Sequence, residues 1–303
     1  MIIDNLLVCP VCRSELMLSQ ITDMGRVSCS QCQRTYSFEN GVYDLTPVPP
    51  PDKEVLDKWS LWEQLQENGS IAYTAAPEMS LSVGTRDDAK AFGDFSKLSG
   101  LVLDIGCGPQ EIPSYGLDFP GQLIGIDPLR GVIPKRFAFV QGIGEYLPFR
   151  SGTFDRVLFA TSLDHTLHPK SALAEARRVV KLDGTVNVWL GDDEHSDDAS
   201  DQWTARYERR IRKAASMLRK GDVAGLVARL RGARPAEAEP SHSPEYMEKL
   251  KVPDGAVDHF HFFHLYQSEV ESLLDEVGLT VVRSASFRHV YDSRFIQAAP
   301  IVQ

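Results

Sequence analysis

Three groups of residues in this chain of 303 have types and spacings that could do chemistry. The first is Gly106 and Gly108, which end the apolar run Leu101-Val102-Leu103-Asp104-Ile105. With them goes Asp127, which closes a second apolar run, Leu123-Ile124-Gly125-Ile126. Glycines let a backbone turn sharply and approach a ligand. A carboxylate about 20 residues further on can accept hydrogen bonds from both hydroxyls of a ribose. The second group is Cys9, Cys12, Cys29 and Cys32, two C-x-x-C pairs with 16 residues between them. Two thiolates on one tight turn reach a single ion, and two such turns complete a tetrahedral zinc site. That site has no open position, so its zinc is structural. Disulfides or a redox C-x-x-C are the alternative, but the segment lacks the βαβ context of a redox motif. The third group is histidine: His165, just after Thr161-Ser162-Leu163-Asp164, and His259 and His261 in Asp258-His259-Phe260-His261-Phe262-Phe263-His264. Imidazole titrates near neutral pH and is a common general base. If 258–264 is extended, His259 and His261 share a face and His264 takes the other. The pair with Asp258 could also bind a metal. The plainer alternative is that these histidines cap and pack.

The elements that must hold these groups read as an α/β fold. Apolar runs at 101–105, 123–126, 137–141, 153–160 and 185–190 read as buried parallel strands. A helix over 171–181, ended by Asp183-Gly184, separates the last two, and strands at 279–286 and 294–298 finish the sheet. An open sheet of this kind binds ligands at the carboxyl ends of its strands. Gly106, Asp127 and His165 all fall there. Upstream, Tyr36 to Leu45 reads as a hairpin turning at Asn40-Gly41, and Pro47 to Pro51 as a stiff linker. A helix over 52–67 carries Val55, Leu56, Trp59, Trp62 and Leu65 along one side. It either packs on the domain or lines a substrate entrance. Residues 68–97 read as irregular. Residues 191–257 read as an insertion that opens acidic and turns basic. Amphipathic helices between Trp203 and Leu230 would form a lid over the acceptor or a solvated face.

Composition narrows the classes. A net charge of −10 argues against a protein built mainly to coat nucleic acid. No apolar run reaches the roughly 18 residues of a membrane span. Met1 to Val8 is too short and too acidic for a secretory signal. With four of the five cysteines in a metal pattern, the expected compartment is the cytoplasm.

Leu103-Asp104-Ile105-Gly106-Cys107-Gly108-Pro109, then Gly125-Ile126-Asp127-Pro128, then Gly142 to Phe149, then Phe154-Asp155-Arg156-Val157-Leu158 fall in one order and spacing. The set resembles class I S-adenosylmethionine (SAM) methyltransferases of the type 11 kind, closely over about 98–190 and loosely over 258–299. The resemblance implies a Rossmann-like sheet of seven strands with the last antiparallel. It implies that Asp104 orients the glycine loop near the amino group of the methionine part. Gly106 and Gly108 would make room for SAM, with Cys107 a small buried filler. Asp127 would hold the ribose and Pro128 lie along the adenine. Ile143 stands where the family often has an acid that accepts from the adenine amino group, so Ile143 would pack on the ring. Gly144 and Glu145 follow it, and Glu145, a backbone carbonyl or water would take that hydrogen bond. Thr161 would close the site at the fourth strand. Gln110 replaces a glycine usual in the loop. A dinucleotide dehydrogenase is the competing reading, but it needs a third glycine where this chain has Glu111, whose charge would repel a pyrophosphate.

Residues 1–46 resemble the zinc-ribbon partner of tRNA and protein methyltransferases, here fused to its enzyme. The expected organisation is therefore a ribbon at 1–46, a linker and helical cap at 47–97, and a SAM-dependent domain at 98–303. The expected activity is O-methylation of a sugar, polysaccharide precursor or other small metabolite, with His165, His259 and His261 as the bases. The acidic balance and histidine-rich border favour such acceptors. Base methylation of rRNA or tRNA is the alternative, favoured by the ribbon. A SAM-binding partner without catalysis is the third.

Overall fold

The computed structural model describes residues 3–21, 25–75, 87–191, 245–288 and 292–301. The chain divides into two compact units, 1–192 with 250–303, and 193–249. Of the second unit only the 3-10 turn Glu245–Lys249 is described. The amphipathic helices expected between Trp203 and Leu230, and with them the lid, lie outside the described residues. All that follows concerns the first unit.

Its centre is a sheet of strands that the sequence marks as buried. β4 (Gly100–Ile105), β5 (Gly121–Asp127), β6 (Ala138–Gln141) and β7 (Phe154–Ala160) run parallel. β8 (Val180–Leu190) pairs parallel with β7. β9 (Leu279–Arg288) and β10 (Asp292–Pro300) complete the far edge, and β10 is antiparallel to both β8 and β9. These seven strands lie in the order β6-β5-β4-β7-β8-β10-β9, with the antiparallel last strand that was expected.

The sheet nevertheless has ten strands. Three come from the cysteine-bearing segment: β1 (Arg26–Ser28), β2 (Thr35–Glu39) and β3 (Val42–Asp44). β2 and β3 form the expected hairpin. Asn40 (φ 54°) and Gly41 (φ 80°) make its turn, both in the left-handed region that two-residue hairpin turns require. β3 then pairs parallel with β6, Tyr43 opposite Val140 and Asp44 opposite Gln141. The cysteine segment thus extends the central sheet instead of standing off on a linker. Leu7, Tyr43 and Leu45 are buried in the same core as Leu103, Val140 and Phe149. Arg13 reaches buried Glu175 at 2.7 Å, and Arg178 holds the other oxygen of that carboxylate at 2.6 Å.

Alternation along the strands sorts side chains to two faces. Leu103, Ile105, Val157 and Phe159 pack with Ala172, Leu173, Ala176, Val270 and Leu274. The latter belong to α3 (Pro169–Val179) and α4 (Gln267–Glu276). On the other face Val102, Leu158 and Trp189 pack with Phe92 and Phe95 of α2 (Asp87–Ser96).

Three expectations about elements change. The first helix, α1 (Lys53–Ala75), runs past residue 67. Gly69 lies within it, where a Cβ would press on Leu129 at 3.1 Å. Its buried face is Trp59, Trp62, Leu65 and Asn68, with Leu56 exposed. Part of 68–97 is therefore helical. Finally, α3 ends at Val179, and Asp183-Gly184 lies inside β8 at an irregularity in its pairing with β7. Consecutive β-branched Val179 and Val180 favour extended backbone there over helix. Among the described residues no helix is long and apolar enough to cross a membrane.

Candidate active site

The turn after β4 is built around its glycines. Gly106 (φ 74°) and Gly108 (φ 75°) are left-handed, where a side chain is strained. A Cβ on Gly106 would also lie 2.4 Å from the Cβ of Ser162, so the tips of β4 and β7 touch through that glycine. Cys107 between them is fully buried, as expected of a filler. Gln110, in the position of the missing glycine, is buried and its amide donates to the Cys107 carbonyl. The loop is thus closed by a side chain where another glycine would have left backbone alone.

Two acids face this turn. Asp127 ends β5; its carboxylate accepts from the Gly108 N–H at 2.9 Å and the Leu129 N–H at 2.8 Å. Asp104, on β4, accepts from the Tyr115 hydroxyl at 2.7 Å, while its Oδ1 is buried with no hydrogen-bond partner. Burial raises both, Asp104 to about 7 and Asp127 to about 6. An unmatched buried carboxylate oxygen costs free energy unless a donor arrives. A cationic ligand with N–H groups would supply one.

Tyr73, in the last turn of α1, feels the charges of both Asp127 and Asp104, and desolvation, the larger effect, joins them in holding its hydroxyl protonated. The sequence reading left Tyr73 in an irregular stretch. The signal that could have found it was the continuation of the helical period past Gly69. Lys135 was also passed over; its Nζ donates to the Gly108 carbonyl at 2.7 Å.

The remaining expected cofactor residues divide. Pro128 directly follows Asp127, and its carbonyl accepts from the Gln141 amide at 2.8 Å. Ile143 is buried with Trp59, Trp62, Leu65, Leu167 and Phe262, so its side chain joins the α1 packing. Gly144 is buried against Ile105 and Ala172. Glu145 accepts from the His168 N–H at 3.0 Å, at the start of α3. Its carboxylate therefore serves a helix N-terminus. Thr161 has φ 54°, strained for a β-branched residue and at the strand tip where functional strain collects.

Beyond Thr161 the chain brings Asp164, His165 and His261 together. One nitrogen or oxygen of each lies within 4.8 Å of the others, and the two imidazole rings are 4.3 Å apart between centroids. Residues 258–264 are not extended. The Asp258 carboxylate accepts from the backbone N–H of Phe260 and His261, curling the segment into a turn. His259 consequently does not share a face with His261; its carbonyl accepts from Asn68 at 2.7 Å and its ring lies by Phe260. The His261 Nδ1 meets the Asp258 carboxylate at 2.8 Å. The His165 Nδ1 meets the Phe260 carbonyl at 3.1 Å. Lost hydration lowers the pKa of His165, and His261 lowers it further. For His261 lost hydration also acts downward, but the bond to Asp258 and the charge of Asp164 outweigh it and the net shift is upward. Neighbouring titratable groups pushed apart in this way suit proton transfer.

Some distance along the chain, the four cysteine sulfurs lie within 4.8 Å of one another, and none is disulfide-bonded. Cys9 and Cys32 are 3.7 Å apart and Cys12 and Cys29 3.4 Å. Bonds of about 2.3 Å at tetrahedral angles would set sulfurs about 3.8 Å apart. Arg13 (φ 62°) and Gln33 (φ 59°), each just after the second cysteine of its pair, take the same left-handed turn. The two knuckles are therefore alike in backbone as well as in sequence.

Residues 103–188 match the family described as a methyltransferase domain. That stretch is similar to a methyltransferase domain. The matched stretch runs from the glycine turn through Asp127 and the Asp164-His165 cluster to β8. Solved structures similar to it include the PH0226 protein of Pyrococcus horikoshii, at 17% identity over 76% of this chain and 95% of that one, TM-score 0.43. Another is a Burkholderia thailandensis 1,6-didemethyltoxoflavin-N1-methyltransferase with bound S-adenosylhomocysteine, at 14% identity, 89% and 97% coverage, TM-score 0.45. A third pairs the Haloferax volcanii Trm112 methyltransferase activator with a second chain, at 12% identity, 83% and 98% coverage, TM-score 0.44. Among curated proteins none matches the sequence.

Proposed function

We propose that this protein is a SAM-dependent methyltransferase that moves the methyl of SAM to a hydroxyl of a sugar, a polysaccharide precursor or another small metabolite. The observation that carries the reading is the histidine–acid cluster beside the glycine turn. A sulfonium methyl needs little activation; the enzyme must align the acceptor and remove one proton. His165, whose pKa is lowered, stays neutral near pH 7 and can accept that proton. SAM would lie across Gly106 and Gly108, with Asp127 on the ribose and Asp104, helped by Tyr73, near the ammonium. The unmatched Asp104 oxygen supports this fit. Pro128 and Thr161 would border the nucleoside and the reacting methyl. Of the expected bases, His259 is the one the cluster leaves out.

The four cysteines would hold one structural zinc ion, and the sulfur spacing and paired knuckles support it. The 1–46 segment acts as a ribbon domain in this reading, 47–97 as linker and cap, and 98–303 as the catalytic domain. The expected setting is the cytoplasm. A base in rRNA or tRNA is the second reading. The joining of the cysteine ribbon to the sheet beside the cofactor cleft favours it.

Incubation with methyl-labelled SAM and separated metabolite, glycan and RNA fractions tests these readings. Label in the metabolite or glycan fraction supports the first. Label in RNA alone replaces it with the second. Cofactor uptake with no transfer to any fraction would point to a binding partner without catalysis.

A further inference from the structure

We propose that Asp164, His165 and His261 form a binding site for one divalent transition-metal ion, separate from the four cysteines. The arrangement meets three requirements of such a site at once. The first is convergence: the His165 Nε2 is 4.0 Å from Asp164 Oδ1, and the His261 Nε2 is 3.7 Å from Asp164 Oδ2. Ligand bonds of 2.0–2.2 Å at right or tetrahedral angles place donor atoms roughly 3.0–3.4 Å apart. Small side-chain rotations close the remaining gap. The second requirement is that each histidine offer one nitrogen while the other is tied down. Metal-bound histidines usually donate their second N–H to a carboxylate or carbonyl, which fixes ring and tautomer. The His261 Nδ1 is held by Asp258 and the His165 Nδ1 by the Phe260 carbonyl, so both Nε2 atoms remain for the ion.

The third requirement is a carboxylate not already spent. Asp164 Oδ1 is buried and has no hydrogen-bond partner. Two imidazoles and one carboxylate suit ions of intermediate softness and leave positions open for oxygen donors. The side chains keep 38%, 25% and 23% exposure for His165, His261 and Asp164 respectively, so the site has an entry path. Its place one turn beyond Thr161 puts those open positions on the acceptor side of the proposed SAM cleft. The role of the ion, though not its binding, rests on the methyl-transfer reading. An acceptor hydroxyl bound to it would lose its proton more readily, and His165 would serve as base only in the ion-free chain.

The test is a Co²⁺ titration of the full chain loaded with one equivalent of zinc and freed of excess, so that the four thiolates hold the zinc and the His165–His261 site stays open to cobalt. No SAM or acceptor is added, so the result is independent of the label-transfer experiment. One equivalent of Co²⁺ should bind without the strong sulfur-to-metal absorption of a thiolate site, and two exchangeable ring N–H signals should shift in the proton NMR spectrum. Asp164→Asn and His261→Gln should each weaken uptake at least tenfold. Failure of the folded, zinc-loaded chain to take up Co²⁺ would overturn the proposal. So would uptake with the thiolate absorption, or unchanged uptake by both variants.

Discussion

Asp104 and Asp127 sit buried on the adjacent strands β4 and β5, and burial makes both hold protons more tightly than an exposed carboxyl does. The sign of the consequence follows from linkage. An unfolded Asp titrates near 3.9, and Asp104 in the fold near about 7. Its contribution to stability is therefore complete below about pH 4 and is lost as pH rises through 7. Urea midpoints measured from pH 4 to 8 should fall less for Asp104→Asn than for the unaltered chain. Cofactor binding should show the opposite trend. The ammonium of SAM favours the ionised acid, so affinity should increase as pH rises through 7, with proton release visible as buffer-dependent heats in calorimetry. Asp127→Asn should weaken SAM binding at least tenfold, about 1.4 kcal/mol, because an amide cannot both hold the Gly108 N–H and accept from two ribose hydroxyls. Thr161 offers a test in the other direction. Its left-handed backbone stores about 1 kcal/mol or more, so Thr161→Gly should raise the melting temperature, and a drop would show that the side chain packs more than it strains.

At the scale of elements, α1 matters more than its modest apolar stripe suggested. Trp59 and Trp62 meet ring to ring at 5.3 Å and bury Ile143, Leu167 and Phe262 with them. Trp62→Ala should cost about 3–5 kcal/mol, read as a shift in denaturant midpoint, and should loosen Tyr73 at the cofactor end of the same helix. The parts of the site that the sequence revealed were local ones. Gly106, Gly108 and Asp127 announce themselves because a strand, a turn and an acid are close together in the chain. The cysteine pairs do so because ligand spacing is a short-range property. The Asp164–His261 meeting could not be read this way, since it depends on a turn around Asp258 about a hundred residues on. Glu145 and Ile143 are expected near the adenine from their position in a motif; in the fold Glu145 accepts from the His168 N–H at the start of α3 and Ile143 packs with the tryptophans. Residues 180–184 misled for a physical reason. Asp-Gly usually stops a helix, but the pair of valines before it had already done so, and the glycine was needed where a Cβ would crowd Val180 at 2.7 Å.

For the whole molecule, the decisive feature is the pairing of β3 with β6. It makes the cysteine segment part of the same core as β4, β5 and β6. If the four cysteines hold zinc and the cleft takes SAM as proposed, a strong chelator should lower the melting temperature of the entire first unit and weaken SAM binding, instead of melting a detached module. Two separate thermal transitions, with SAM affinity unchanged, would contradict that view.

The same pairing has a consequence for how the polypeptide is made. Residues 42–44 leave the ribosome long before residues 138–141, to which they must bond. The apolar residues of the cysteine segment, Leu7, Tyr43 and Leu45, have their packing partners in strands made later. Until β6 arrives β3 presents an edge with unfilled hydrogen bonds, a surface prone to pair with strangers. The edge of β3 is covered only once β6 has been made and Tyr43 and Asp44 can pair with Val140 and Gln141.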